Sequence, residues 1–268
     1  MTATDAAPDY ALVTGASAGI GAALARELAR RGQPLVLLAR RAERLESLAA
    51  ELRPLVACEV IAADLADRAA PAAVIGELER RGLAVGTLVN NAGYGLPGAF
   101  HASDWAAHAA FLQVMVGAVC ELSHGLLPGM RARRRGAILN VASLAGHVPG
   151  SAGHTLYAAA KAFMIRFSQS LALENADAGV RVCALCPGFT YSEFHDITGT
   201  RAQVSRMPRW MWMQAEEVAR EGLDALERGE VVHVPGRANR AIKALAKLMP
   251  DRMALRLVQK RSKDFRKL

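Results

Sequence analysis

The chain of 268 residues has no unbroken apolar run of about 18 residues, the length needed to cross a hydrocarbon core. Its start, Met1 to Asp9, lacks the basic and apolar regions of a secretory signal. Both absences lead us to expect a cytoplasmic protein. Cysteine is scarce: Cys58, Cys120, Cys183 and Cys186 lie in apolar segments, where a reduced thiol packs as a small hydrophobe. Cys183 and Cys186 have a Cys-x-x-Cys spacing, but no second pair or histidine cluster completes it, so no metal is expected. Excess positive charge is missing from most of the chain. The net charge is +8, yet residues 237–268 hold eleven Lys/Arg against Asp251 and Asp264, a balance of +9 that leaves residues 1–236 at −1. A nucleic-acid-binding core is therefore not expected, and the basic end calls for a role of its own.

What the chain does have is apolar content of 52%, enough for one large core. Short apolar runs read as strands and amphipathic stretches read as helices follow one another along the chain. Tyr10-Ala11-Leu12-Val13 reads as the first strand and is followed directly by Thr14-Gly15-Ala16-Ser17-Ala18-Gly19-Ile20-Gly21. Such a turn, between a strand and a helix expected over residues 20–31, lets backbone N–H groups approach a pyrophosphate at the positive end of the helix. A second strand over 35–39 ends at Arg40-Arg41, where an acidic residue would suit NAD; two arginines suit the extra phosphate of NADP. The first helical turn of residues 41–52 also accounts for one of them.

Tyr157-Ala158-Ala159-Ala160-Lys161 places a phenol and an ammonium four residues apart, one turn along the same helix face. A fixed positive charge favours the phenolate and eases proton transfer near neutrality. Upstream, Ser143 ends Ala137-Ile138-Leu139-Asn140-Val141-Ala142, which reads as a buried parallel strand, and strand ends are where such sheets place chemistry. A serine there could hydrogen-bond a carbonyl oxygen while Tyr157 supplies the proton.

The ordered set Thr14 to Gly21, Asn90-Asn91-Ala92-Gly93, Ser143, Tyr157/Lys161 and Pro187-Gly188 resembles the short-chain dehydrogenase/reductase family, over residues 9 to about 235, in its NADP-preferring ketoreductase and hydroxysteroid-dehydrogenase-like branch. The resemblance implies a Rossmann-type, doubly wound, seven-stranded parallel sheet in one domain over 1–236, extended by a basic helical tail over 237–268. It implies Ser143, Tyr157 and Lys161 as catalytic residues. For the cofactor it implies Gly15, Ser17, Gly19, Ile20, Gly21, Arg40, Arg41, Asp64, Leu65, Asn91, Ala92, Gly93, Tyr157, Lys161, Pro187, Gly188, Thr190 and Ser192, with NADP(H) preferred over NAD(H). Asp64 also reads as a helix cap. The expected reaction is hydride transfer between nicotinamide and a ketone or secondary alcohol, in a homodimer or homotetramer.

Three features depart from the pattern. Counting back from Leu127-Pro128-Gly129-Met130, Met115 stands where relatives place the asparagine of a proton relay, within a helix expected over 104–130. A thioether donates nothing, so either the relay is dispensable or the chain is a catalytically impaired NADP-binding module with a sensing or partner-binding role. Gln113 and His154 are possible substitutes. Second, the spacing from Ser143 to Tyr157 is one residue longer than usual, in a loop carrying His147 and His154, both read as surface or loop residues. Third, Ser192 stands where threonine is usual. The helix after Tyr157 is expected to bury Phe163, Phe167, Leu171 and Leu173. Residues 193–214 read as a substrate lid ending in Met207-Pro208-Arg209-Trp210-Met211-Trp212-Met213, apolar and suited to a greasy substrate or to a subunit contact. For the tail, packing on the domain or a partner subunit competes with an anionic membrane surface and with an acidic partner protein.

Overall fold

The computed structural model describes residues 9–96, 98–193 and 208–265. Seven parallel strands form one sheet: β1 Tyr10–Thr14, β2 Leu35–Ala39, β3 Cys58–Ala62, β4 Val85–Asn90, β5 Gly136–Val141, β6 Val180–Leu185 and, numbered after two short strands described below, β9 Val232–His233. Their order is β3-β2-β1-β4-β5-β6-β9, so the direction of winding reverses between β1 and β4. The crevice outside the strand ends at that reversal is where such sheets bind ligands.

Both faces of the sheet are covered, which explains why its strands are nearly continuous apolar runs. Along β1, Ala11 and Val13 pack on one face and Leu12 on the other, as the period of two requires. The first face is closed by α1 Gly19–Arg30, α2 Ala42–Leu52 and the helix Ala215–Glu227. The other is closed by α3 Ala70–Arg80 and by α4 Trp105–Leu112, α5 Ala118–Ala132 and α6 Thr155–Asn175. Numbering the remaining helices in chain order, Ala215–Glu227 is α7, followed by α8 Arg237–Leu248 and α9 Asp251–Phe265. Arg31, just past α1, ties α1 to α7 through Asp224 and Glu227, both at 2.7 Å.

The helix expected over 104–130 is interrupted. α4 and α5 are joined by a π turn, Gln113–Gly117, with Met115 at its centre. The combined run Trp105–Ala132 is long and apolar enough to cross a membrane by length and composition. Yet Phe111, Met115, Val119, Leu122 and Met130 are buried in the core, so the run packs as a core helix of this fold.

α6 also turns differently from expectation. Its buried residues are Ala160, Lys161, Met164, Ile165, Ser168, Leu171 and Asn175, whereas Leu173 is 81% exposed and Phe163 stacks on Phe167 at the margin. One position is 100° of helix, so turning Lys161 inward carries Phe163 and Leu173 outward.

Of the expected lid, residues 194–207 lie outside the described residues. After a turn at Arg209–Met211, β8 Trp212–Gln214 pairs in parallel with β7 Phe189–Tyr191. Trp212 stacks on Tyr191 at 4.7 Å between centroids and lies 5.5 Å from Phe189.

Candidate active site

At the C-terminal end of β1 the glycine turn enters α1. A Cβ on Gly21 would collide with the Gly15 carbonyl oxygen and the Asn91 amide, so only hydrogen fits there. Gly19 has φ of +55° and faces Ser192, a conformation that favours glycine. Thr14 Oγ1 donates to the Val89 carbonyl at 3.2 Å and accepts the N–H groups of Asn91 and Ala92, each at 2.9 Å. Asn91 Nδ2 donates in return to the Thr14 carbonyl at 2.9 Å. The two strand ends at the reversal point are thus stitched together, with Ser17 and Ile20 half-buried on the turn between them.

On the far side of the crevice, Arg40 and Asp64 are both exposed and their charged groups approach to 3.8 Å. Asp64 Oδ1 accepts the Ala66 N–H at 3.0 Å, a local turn within its own loop and not the cap of α3. The Leu65 side chain is buried in the core. Arg41 donates to Ser17 Oγ at 3.1 Å and to Glu193 at 3.3 Å, and Arg44 donates to Glu193 at 2.6 Å. Glu193, two residues past β7, therefore bridges the crevice to α2. The paired arginines hold its carboxyl below the usual range. Sequence reading did not single out Glu193 or Arg44.

The next strand end supplies the reacting side chains. Ser143 follows β5, Tyr157 lies in the first turn of α6, and Lys161 lies one turn on. The Ser143 hydroxyl is hydrogen-bonded to the Tyr157 phenol, accepts the Ala145 N–H at 3.1 Å and lies 3.5 Å from the Pro187 carbonyl oxygen. Burial pushes the phenol above its ordinary value of 10, and the bond to Ser143 works against that rise. Lys161 is buried; its ammonium donates to the Val141 carbonyl at 2.7 Å and stands 5.8 Å from the centre of the Tyr157 ring. Burial lowers its pKa from 10.5 to about 8. The sequence led us to expect Lys161 to lower the phenol's pKa. In this structure burial raises the phenol and lowers the ammonium, so the two groups shift towards their neutral forms.

Pro187 and Gly188 form the loop beyond β6. The Leu144 N–H donates to the Pro187 carbonyl at 2.8 Å, fastening this loop to the Ser143 strand end. Thr190 is buried and its hydroxyl turns back to the Gly188 carbonyl at 3.2 Å, while Ser192 lies against Gly19. A Cβ on Gly188 would strike the Asn239 side chain. Asn239 belongs to α8, so the start of the tail supports the loop. Nothing in the local sequence signals that contact.

Met115 is 1% exposed and packs with Phe111, Ala160, Leu156 and Tyr157; a Cβ on Gly93 would sit 2.9 Å from its sulfur. The surroundings of Met115 are apolar, and Gln113 turns to Gly117. His154, read as a surface or loop residue and as a substitute in the relay, lies in the loop before α6 but is buried, with its ring edge-to-face to Tyr157 at 6.1 Å. His147 is half-buried in the turn Leu144–His147, where burial, Lys243 and Arg166 push its pKa from 6.5 to about 4. A small cleft beside Tyr157 is lined by Leu96, Phe100, His108, Phe111 and Leu156. His108 is buried there and stacked on Phe100 at 4.5 Å.

Beneath the site runs a buried polar thread that sequence reading missed. Asn90 Nδ2 donates to Asn140 Oδ1 at 2.8 Å and to Ser123 at 3.2 Å; Asn140 Nδ2 donates to Ser168 Oγ at 2.8 Å. It crosses from α5 through β4 and β5 to α6 and so fixes the helix carrying Tyr157 against the strand carrying Ser143. The available signal was Asn140, a lone amide inside an apolar strand, which must find a partner. The cysteine pair is of another kind: burial raises both Cys183 and Cys186 to about 12, the behaviour of packed thiols.

The tight turn at a helix N-terminus and the exposed arginines across from it fit a dinucleotide carrying an extra phosphate. A family model described as short chain dehydrogenase matches residues 9–201. A sulfoacetaldehyde reductase of Chromohalobacter salexigens is 38% identical over 188 residues, 69% of this chain and 74% of that protein. A short-chain dehydrogenase from Sphingobium yanoikuyae, solved in complex with NADPH, superposes with a TM-score of 0.79 at 33% identity, covering 90% of this chain and 96% of that one. A bulky-bulky ketone specific alcohol dehydrogenase from Comamonas testosteroni gives 0.74 at 31% identity, covering 90% and 95%.

Proposed function

Because the chain belongs to the short-chain dehydrogenase family, we propose that it is an NADP(H)-dependent oxidoreductase acting on a ketone or secondary alcohol of a fairly apolar substrate. The observation that carries this is the convergence of Ser143, Tyr157 and Lys161 at the end of β5, with the Ser143 hydroxyl hydrogen-bonded to the phenol. When bound, the nicotinamide supplies or accepts the hydride. Ser143 orients the substrate oxygen. Tyr157, whose raised pKa keeps it protonated at neutral pH, donates the proton in reduction. Lys161 offers its ammonium to the nicotinamide ribose and to the phenolate that forms when the proton leaves.

The glycine turn, with Ser17 and Ile20, would cradle the pyrophosphate, and Asn91, Ala92 and Gly93 would run beneath the cofactor. Asp64 and the Leu65 backbone would meet the adenine. Pro187, Gly188, Thr190 and Ser192 would frame the nicotinamide. Arg40 and Arg41 favour NADP over NAD, since a guanidinium pairs with the 2′-phosphate that distinguishes them. An apolar substrate is supported by the side chains of Leu96, Phe100, Phe111 and Leu156 beside Tyr157, and a bulky ketone by the likeness to the alcohol dehydrogenase from Comamonas testosteroni, described as specific for bulky-bulky ketones. Phe163 and Leu173, exposed on α6, suit a contact between subunits of a homo-oligomer.

The test is NADPH and NADH oxidation against small, acyl-chain and polycyclic ketones, with Tyr157→Phe alongside. Turnover with NADPH in the wild type is expected, weaker with NADH. Tyr157→Phe should lose at least about a hundredfold in kcat, the scale of general acid catalysis, while NADPH still binds. Retained turnover in that variant would remove Tyr157 from its role.

A further inference from the structure

The tail does not end as a packed strap. α8 is anchored at its start, where Asn239 is buried beneath the Gly188 loop and donates to the Pro235 carbonyl at 2.9 Å. It lies against the turn Leu144–His147 and against Arg209–Met211. Beyond that anchor Ile242 and Met249 are half-buried and Ala254 is buried, but five larger apolar side chains are exposed. Leu245 is 59% exposed and Leu248 82%, and on α9 Met253, Leu255 and Leu257 are exposed as well. Exposed basic residues flank them: Arg237, Lys247, Arg252 and Arg256 have no ion-pair partner among the described residues. A helix pair that leaves leucines in water beside unpaired cations is shaped for a surface that is apolar below and anionic above.

We propose that α8 and α9 dock the protein on an anionic lipid bilayer, with Leu245 and Leu248 of α8 and Met253 and Leu257, one turn apart on α9, entering the boundary of the acyl chains and the arginines and lysines meeting the lipid phosphates. Charge selects this occupant over a second copy of the chain. An isologous contact through this face would set one +9 segment against another. A bilayer bearing phosphates complements the whole segment, and the long Lys and Arg stems let apolar and charged groups settle at different depths. The face is beside the strand end carrying Ser143, so docking sets the catalytic end of the sheet near the lipid. The inference rests on exposure and charge and stands apart from the proposed reaction.

The experiment is co-sedimentation of the full chain with vesicles of phosphatidylcholine alone and with about 30% phosphatidylglycerol, at low salt and at about 0.5 M salt, where surface charges are screened. The double variant Leu245→Gln/Leu248→Gln, which leaves the charge unchanged, is tested beside it, with size-exclusion light scattering and thermal unfolding of both proteins. Binding to anionic vesicles alone is expected, lost at high salt and weakened at least about tenfold in the variant. Unfolding should be unchanged, because both leucines are exposed. Absence of binding by the wild type overturns the proposal. So does binding that the double substitution leaves intact, which would be bare electrostatic adhesion. An oligomer that the substitution dissociates, without vesicle binding, assigns the face to a second copy and overturns it too.

Discussion

At the scale of single residues, the site depends on groups whose polar partners are far away in sequence. Asn140 is wholly buried, and its amide is satisfied by Asn90 on one side and Ser168 on the other. Ser168→Ala would leave Asn140 Nδ2 without its acceptor, costing about 1–3 kcal/mol for an unsatisfied buried donor. The expected result is a lower midpoint of urea unfolding with an unchanged slope, and an unmoved midpoint would show the thread to be dispensable. Met115 makes the opposite case. Since it packs among Phe111, Ala160 and Tyr157, Met115→Asn would exchange an apolar fill for an amide in an apolar pocket. A cost of about 2–5 kcal/mol is expected from the cavity and the buried amide together. Thermal unfolding of the variant checks this. Undiminished stability, with faster turnover, would mean that the pocket can host the relay that an asparagine completes in relatives.

At the scale of elements, the turn Leu144–His147 joins three parts: the end of β5, the inward face of α6 and the start of α8. His147 in that turn titrates near 4 in the folded chain and near 6.5 when unfolded. Because the folded pKa is the lower, the unfolded state binds the proton first, and stability present above pH 6.5 is lost as pH falls towards 4. The salt-bridged carboxylates Glu51 and Glu230, lowered from 4.5, act only below that value, so the window above it belongs to histidine. His147→Phe should flatten the fall in Tm between about pH 6.5 and 5. A fall as steep as that of the wild type would place the titrating group elsewhere. The π turn at Gln113–Gly117 is a second case at this scale. An apolar pattern predicts that a helix is there, but the period of its side chains does not show where one extra residue widens the turn.

At the scale of the whole molecule, the winding order of the sheet decides where chemistry sits. β1 and β4 are neighbours in the sheet though 70 residues of chain separate their ends, and their stitched termini open the crevice that the glycine turn, Arg40 and Ser143 surround. Much of this was legible. The apolar runs over 10–13, 35–39 and 137–142 predicted β1, β2 and β5 nearly to their ends, because strands buried on both faces admit few other residues. The shortest strand, β9, spans two residues and pairs with β6 at the sheet edge. The strands β7 and β8 were not legible, because three-residue strands have no periodicity to read.

The sequence by itself determined what depends on neighbours within about a turn of helix: that Tyr157 and Lys161 share a face, that a strand feeds a glycine turn and then a helix, that charge gathers in residues 237–268. Tertiary structure alone decided that Lys161 donates to Val141, that His154 lies buried against Tyr157, that Asn239 props the Gly188 loop and that Glu193 spans to Arg41. The reason is physical. Local geometry follows from fixed bond lengths and the helical period, whereas contacts between distant residues exist only once packing has brought the elements together, and packing answers to the shape and satisfaction of the whole core.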